Sequence, residues 1–168
     1  MMARFGKLPW VWVSVLVIII DQSTKYWTVN YLPLQQMVEV IPNYLAWFHT
    51  YNFGAAWSFL ADHSGWQKWL FAGIAFTVSI VLVIWLTRLK SNKETWLAIA
   101  LALVLGGALG NLYDRVVLGY VVDFILAHWH TDYYFPAFNI ADTAISIGAA
   151  MLVIDMLFFA KKRESKSE

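Results

Sequence analysis

No cysteine occurs anywhere in the 168 residues. Disulfides, thiolate metal ligands and cysteine nucleophiles are therefore excluded together. Charge is scarce as well: Asp, Glu, Lys and Arg make up 14% of the chain, against about 25% in a soluble domain. The formal net charge of +1 leaves no basic face for a nucleic acid. Low-complexity sequence is confined to the Lys/Ser/Glu tail, and there is no internal repeat. What fills the chain is apolar: AVILMFWYC account for 60%, and mean hydropathy is +0.58. A soluble domain of this length could not bury that much apolar surface, and a disordered chain would not carry it. The composition is that of an integral membrane protein, and the length is that of a single domain over residues 1–168.

Crossing a bilayer takes about 20 mostly apolar residues. Four stretches qualify, at residues 10–29, 69–86, 95–112 and 138–160. The first is apolar through Ile20 and then carries Asp21, Gln22 and Lys25; the second and third hold no charge; the fourth is interrupted by Asp142 and Asp155. Ile20 runs straight into Asp21 with no small-x-small site, so the first span is expected to stay as an anchor. If the spans alternate, Arg4, Lys7, Arg88, Lys90, Lys93, Lys161, Lys162, Arg163 and Lys166 share one side. The positive-inside rule places that side, and both termini, in the cytoplasm. Trp10, Trp12, Trp27, Trp66, Trp69, Trp96 and Trp129 cluster near span ends, as interfacial belts do. The outer loops, residues 30–67 and 113–137, are longer than a hairpin needs. Within the first, the β-branched and aromatic runs at 38–41 and 45–51 read as short strands.

Ionisable residues near a span are functional candidates, and nearly all of them fall on the outer side. Asp21 and Lys25 are spaced i,i+4 with the acid first, the favourable order for an ion pair. Asn111, Asp114 and Arg115 share one helix face where the third span ends. There, Asp114 beside Arg115 is also the simplest ion pair for holding a loop. Asn139 and Asp142 sit i,i+3 at the start of the fourth span, which also suits an N-cap with its acidic partner. Asp155, at the cytoplasmic end, reads as a helix-end carboxylate reaching water or a nearby Lys. Asp123 lies inside the apolar run Val121-Val122-Asp123-Phe124-Ile125-Leu126, where a carboxylate must be satisfied, neutralised or used. Two carboxylates facing each other at a membrane boundary suit an aspartyl peptidase. One takes a proton from water, the other protonates the scissile amide, and neither a cofactor nor a metal is needed. Asp142, near a helix N-terminus, is expected to carry the charge, and Asp123 the proton. A metal site at His128-x-His130 with Asp132, or a Ser58–Lys25 dyad, has weaker support in the spacing. A small proton-coupled transporter or channel with Asp142, Asp123 and Arg115 as a relay is the competing class. Against it, the middles of spans two and three carry no ionisable group.

Five segments taken together resemble the lipoprotein signal peptidase (signal peptidase II) family: Asp21-Gln-Ser-Thr-Lys25, Asn52-Phe-Gly-Ala-Ala-Trp-Ser-Phe59, Gly106-Gly-Ala-Leu-Gly-Asn-Leu-Tyr-Asp-Arg115, Val121-Val-Asp-Phe124 and Phe138-Asn-Ile-Ala-Asp142. Trp57 departs from the Phe usual in that family, which bears on loop packing. The resemblance implies an all-α membrane fold, a four-transmembrane-helix bundle with a small outer β-cradle. It implies an aspartic endopeptidase that removes the signal peptide of diacylglyceryl-modified prolipoproteins just before the lipidated Cys. It makes Asp123 and Asp142 the catalytic pair, and Asn52, Gly54, Asn111, Arg115 and Asn139 the substrate contacts. Asp114 would hold Arg115, and Asp21 with Lys25 would support the site, beneath a loop at residues 54–60. Such an enzyme is expected to work as a monomer in the bacterial inner membrane, in contact with membrane lipid, with its site on the periplasmic side.

Overall fold

The computed structural model describes residues 6–54, 66–90 and 92–160. The tail cations from Lys161 onward, Arg4 and the expected roofing segment beyond Gly54, with Trp57 and Ser58, lie outside them.

Helix α1, Val11–Tyr31, follows a 3-10 turn at Leu8–Trp10 with Pro9 in its first turn, where the missing N–H costs nothing. It stops because Pro33 drives Leu32 into extended backbone, φ −104° and ψ 126°. Its buried residues, Ser14, Val17, Asp21, Lys25 and Thr28, form one stripe at three- and four-residue spacing. The stripe is mostly polar, while Trp12, Val15, Leu16, Ile19 and Ile20 face outward and exposed. That inverts a soluble helix and is what a lipid environment selects.

Helices α2 (Trp66–Arg88), α3 (Thr95–Val117) and α4 (Ile140–Ile154) complete the bundle, and a π-helical turn at Asp155–Phe159 follows α4. The segments Trp66–Arg88, Thr95–Val117 and Ile140–Phe159 are long and apolar enough to cross a membrane; α1, with Asp21, Gln22 and Lys25 in its second half, is less apolar. Helix α3 is the axis, packed against each of the other three. Its glycines allow the close approach: a Cβ on Gly106 would lie 2.8 Å from Cβ of Val17, and one on Gly110 would lie 2.8 Å from Oδ2 of Asp21.

The strands at 38–41 and 45–51 appear as β1, Met37–Ile41, and β2, Leu45–Asn52. They pair antiparallel with β3, Val121–Trp129, and β4, Tyr133–Tyr134, in the order β1-β2-β3-β4. Thr50 stands opposite Asp123 and Asn52 opposite Val121. Strand β3 is also tied to the residue before the α4 cap: Phe124 and Ile125 both donate to Phe138 O, and Phe138 donates to Ile125 O.

Helix α3 runs on to Val117, so Asn111, Asp114 and Arg115 lie on one helix. The apolar run around Asp123 is a nine-residue strand. Of the two readings of Asp155, water is set aside: the residue is 4% exposed.

Candidate active site

Asp123 projects from β3, and Asp142 stands in the first turn of α4. Asn139 caps α4 with a reciprocal box: its side chain accepts from Asp142 N at 2.9 Å, and its own N–H donates to Asp142 Oδ2 at 3.2 Å. The same side chain donates through Nδ2 to Asp123 Oδ1 at 2.7 Å. One buried asparagine therefore holds both carboxyl groups. Asp123 Oδ2 accepts from Asn52 Nδ2 at 3.0 Å, and Asn52 Oδ1 in turn accepts Gly54 N at 2.8 Å. Gly54 has φ +93°, a conformation that favours glycine.

Burial, then the charge of Asp142, pushes the Asp123 carboxyl up to about 7, although the amides of Asn52 and Asn139 and the charge of Lys25 pull the other way. Near neutral pH this group is therefore poised to hold or give up a proton.

Behind the pair lies a buried ionic cluster. The Lys25 ammonium touches Asp21 Oδ2 at 2.8 Å, Asp114 Oδ2 at 2.9 Å and Asn111 Oδ1 at 3.0 Å, using all three of its donors. Lysine only donates, so it fixes the Asn111 amide with oxygen inward and Nδ2 toward Asp142 Oδ1, 2.7 Å away. Asp21 Oδ1 accepts Ala141 N at 2.9 Å, and Asp114 Oδ2 accepts Val122 N at 3.3 Å. The cluster thus ties α1 to α3, β3 and the start of α4. Gln22, which sequence reasoning did not single out, bridges the two acids by donating to Asp21 Oδ2 at 3.1 Å and Asp114 Oδ1 at 2.9 Å. Its only sequence signal is its place beside Asp21.

The expected hold of Asp114 on Arg115 is replaced. Asp114's oxygens go to Lys25, Gln22 and Val122, while Arg115 Nη1 donates to Asn111 O at 3.2 Å. Arg115 remains within electrostatic reach of Asp142, Asp123 and Asp114. Asp21, Lys25, Asn52, Gly54, Asn111, Asp114, Arg115, Asp123, Asn139 and Asp142 thus join one constellation. His128 is elsewhere, with Nδ1 2.8 Å from His130 O, Nε2 3.4 Å from Glu39 Oε1 and its ring stacked on Tyr134.

Residues 13–158 match the family described as Signal peptidase (SPase) II. The chain belongs to the signal peptidase II family. It is 63% identical over 161 residues to the lipoprotein signal peptidase of Pseudomonas putida, covering 96% of this chain and 93% of that one. To the lipoprotein signal peptidase of Pseudomonas fluorescens strain Pf-5 it is 64% identical over 159 residues, covering 95% and 92%. A bacterial membrane enzyme solved in meso at 1.9 Å superposes with TM-score 0.79 at 33% identity, over 95% of this chain and 99% of that one. Membership of signal peptidase II makes the protein a peptidase and sets the transporter reading aside.

Proposed function

We propose that Asp123 and Asp142 are the catalytic pair with which this signal peptidase II removes signal peptides from diacylglyceryl-modified prolipoproteins, cleaving just before the lipidated Cys. Aspartic peptidase activity on lipoprotein precursors comes with the family. The observation that carries the residue assignment is Asn139, whose side chain and backbone together hold a carboxyl group from β3 and one from α4.

Asp123 keeps the proton in the resting enzyme and Asp142 is ionised. Asp142 takes a proton from water as the water attacks the scissile carbonyl, and Asp123 gives its proton to the carbonyl oxygen. Collapse of the tetrahedral intermediate breaks the C–N bond, the proton on Asp142 passes to the leaving amine, and a hydroxyl proton of the intermediate returns to Asp123. Asn52 and Asn139 orient Asp123; Asn111 and the α4 cap orient Asp142. Arg115, Asn111, Asn139, Asn52 and Gly54 contact substrate, while Asp21, Lys25, Asp114 and Gln22 hold the frame.

In this reading α1 is a fourth span, supported by its length of 21 residues and its apolar outward face. Both termini lie in the cytoplasm of a bacterium, and the sheet and site face the periplasm across the inner membrane. Residues 1–168 form a single domain acting as a monomer. Lipid chains on the substrate Cys stay in the bilayer while the adjacent peptide bond reaches the water-accessible end of the bundle.

The test is cleavage by purified protein of a diacylated precursor beside the same precursor with an unmodified Cys. Anchoring by the acyl chains should make the first far faster, since orientation can lower a barrier by about 7–11 kcal/mol in favourable cases. Equal rates would remove lipid recognition from the proposal, and no cleavage of either would remove the activity.

A further inference from the structure

Arg115 is held in an unusual way for a half-buried cation. A guanidinium has five N–H donors, and Arg115 sits in the last turn of α3. Its Nη1 bonds to Asn111 O at 3.2 Å. Its Nε is buried and, among the described residues, has no hydrogen-bond partner. A buried donor left unpaired is costly unless the cation is stabilised by other means. Here the means is an aromatic ring: the guanidinium carbon lies 5.6 Å from the centroid of Phe71, in the second turn of α2. The negative face of a ring attracts a cation without occupying any of its donors.

The same ring is fixed from a second direction. A Cβ on Gly54 would lie 2.6 Å from Phe71 Cδ2, so the backbone that follows Asn52 rests directly on it. Phe71 therefore links the segment holding Asn52, and through it Asp123, to the cation facing both aspartates.

The geometry points to Phe71 as a positioning residue for Arg115: its ring face holds the guanidinium at the site while leaving Nε free for an oxygen acceptor on the substrate, such as a peptide carbonyl. This rests on the reading of Arg115 as a substrate contact.

The test uses full-length protein in detergent with 15N-labelled arginine, and the diacylated precursor as substrate. The Nε–H resonance that disappears in Arg115→Gln belongs to Arg115. In Phe71→Leu it should move downfield as the ring current is lost, and in Phe71→Tyr it should stay. Phe71→Leu should lower kcat/KM by about 2- to 30-fold, chiefly through KM, with Phe71→Tyr restoring it. On the Arg115→Gln background, Phe71→Leu should cost much less, whereas a ring that only fills space would cost the same on both. A resonance unmoved in Phe71→Leu overturns the positioning. Arg115→Gln protein that cleaves normally overturns instead the substrate-contact reading beneath it.

Discussion

Around Leu86, Leu101 and Leu105, α2 and α3 meet through leucine side chains that are fully or almost fully buried. About two turns further along α3, around Asn111 and Asp114, the neighbours are Lys25, Asp21, Gln22 and Asn139. The first region holds by close packing, each contact small and any one replaceable. The second holds by directed bonds between specific donors and acceptors, so removing one partner strands the others. In a lipid solvent the apolar contacts gain little from leaving water. Whatever chemistry it carries, the polar end fixes how α1, α3, α4 and β3 sit against one another.

The largest break between the two regions should come at the dyad. Asp123→Asn and Asp142→Asn should each lower cleavage of the diacylated precursor by about 10²–10⁴-fold, in protein that still folds and inserts. Next comes Lys25→Met, which leaves Asp21 and Asp114 buried without their cation. It should destabilise by about 3–5 kcal/mol, read as a fall in melting temperature. Leu101→Ala is its counterpart in the packed region: a loss of about 2–5 kcal/mol, with turnover per folded molecule unchanged. A Leu101→Ala protein that loses turnover while keeping its stability would blur the contrast.

The smallest effect is that of pH. The Asp123 carboxyl is raised to about 7, so its favourable contribution is complete below the ordinary carboxylate range. That contribution is lost as pH rises through about 7, when a second buried charge must form near Asp142. Melting temperature should decline between about pH 4 and 7 and level off above that, while cleavage should decline between about pH 6 and 8 as Asp123 loses its proton. Asp123→Asn, which cannot ionise, should flatten the melting profile; an unchanged profile would mean that the group titrating there is another.

The packed region and the candidate dyad were legible in the sequence for the same reason: long apolar runs mark spans, and a carboxylate inside such a run stands out. The Asn139–Asp142 spacing announced its cap as well. Strand β3 was not legible, because residues buried on both faces show no alternation. Nor was the partner of Asp114. Its neighbour Arg115 is adjacent in sequence, but the bond goes to Lys25, some ninety residues away on another helix, and no local pattern encodes that choice. For Asp155 the helix-end position left water and a nearby Lys as alternatives; a π-helical turn begins at that residue and it is buried, which sets water aside. Phe71 gave no signal at all, being one apolar residue among many in an apolar span.

Asp123 and Asp142 are proposed to act as one unit sharing a proton. The rate of the Asp123→Asn/Asp142→Asn double variant, compared with each single variant on folded, membrane-inserted protein, decides whether they do. The double variant should be little slower than either single, because losing one member already disables the pair. If instead the two losses multiply, the carboxyl groups work independently and the shared-proton mechanism is wrong.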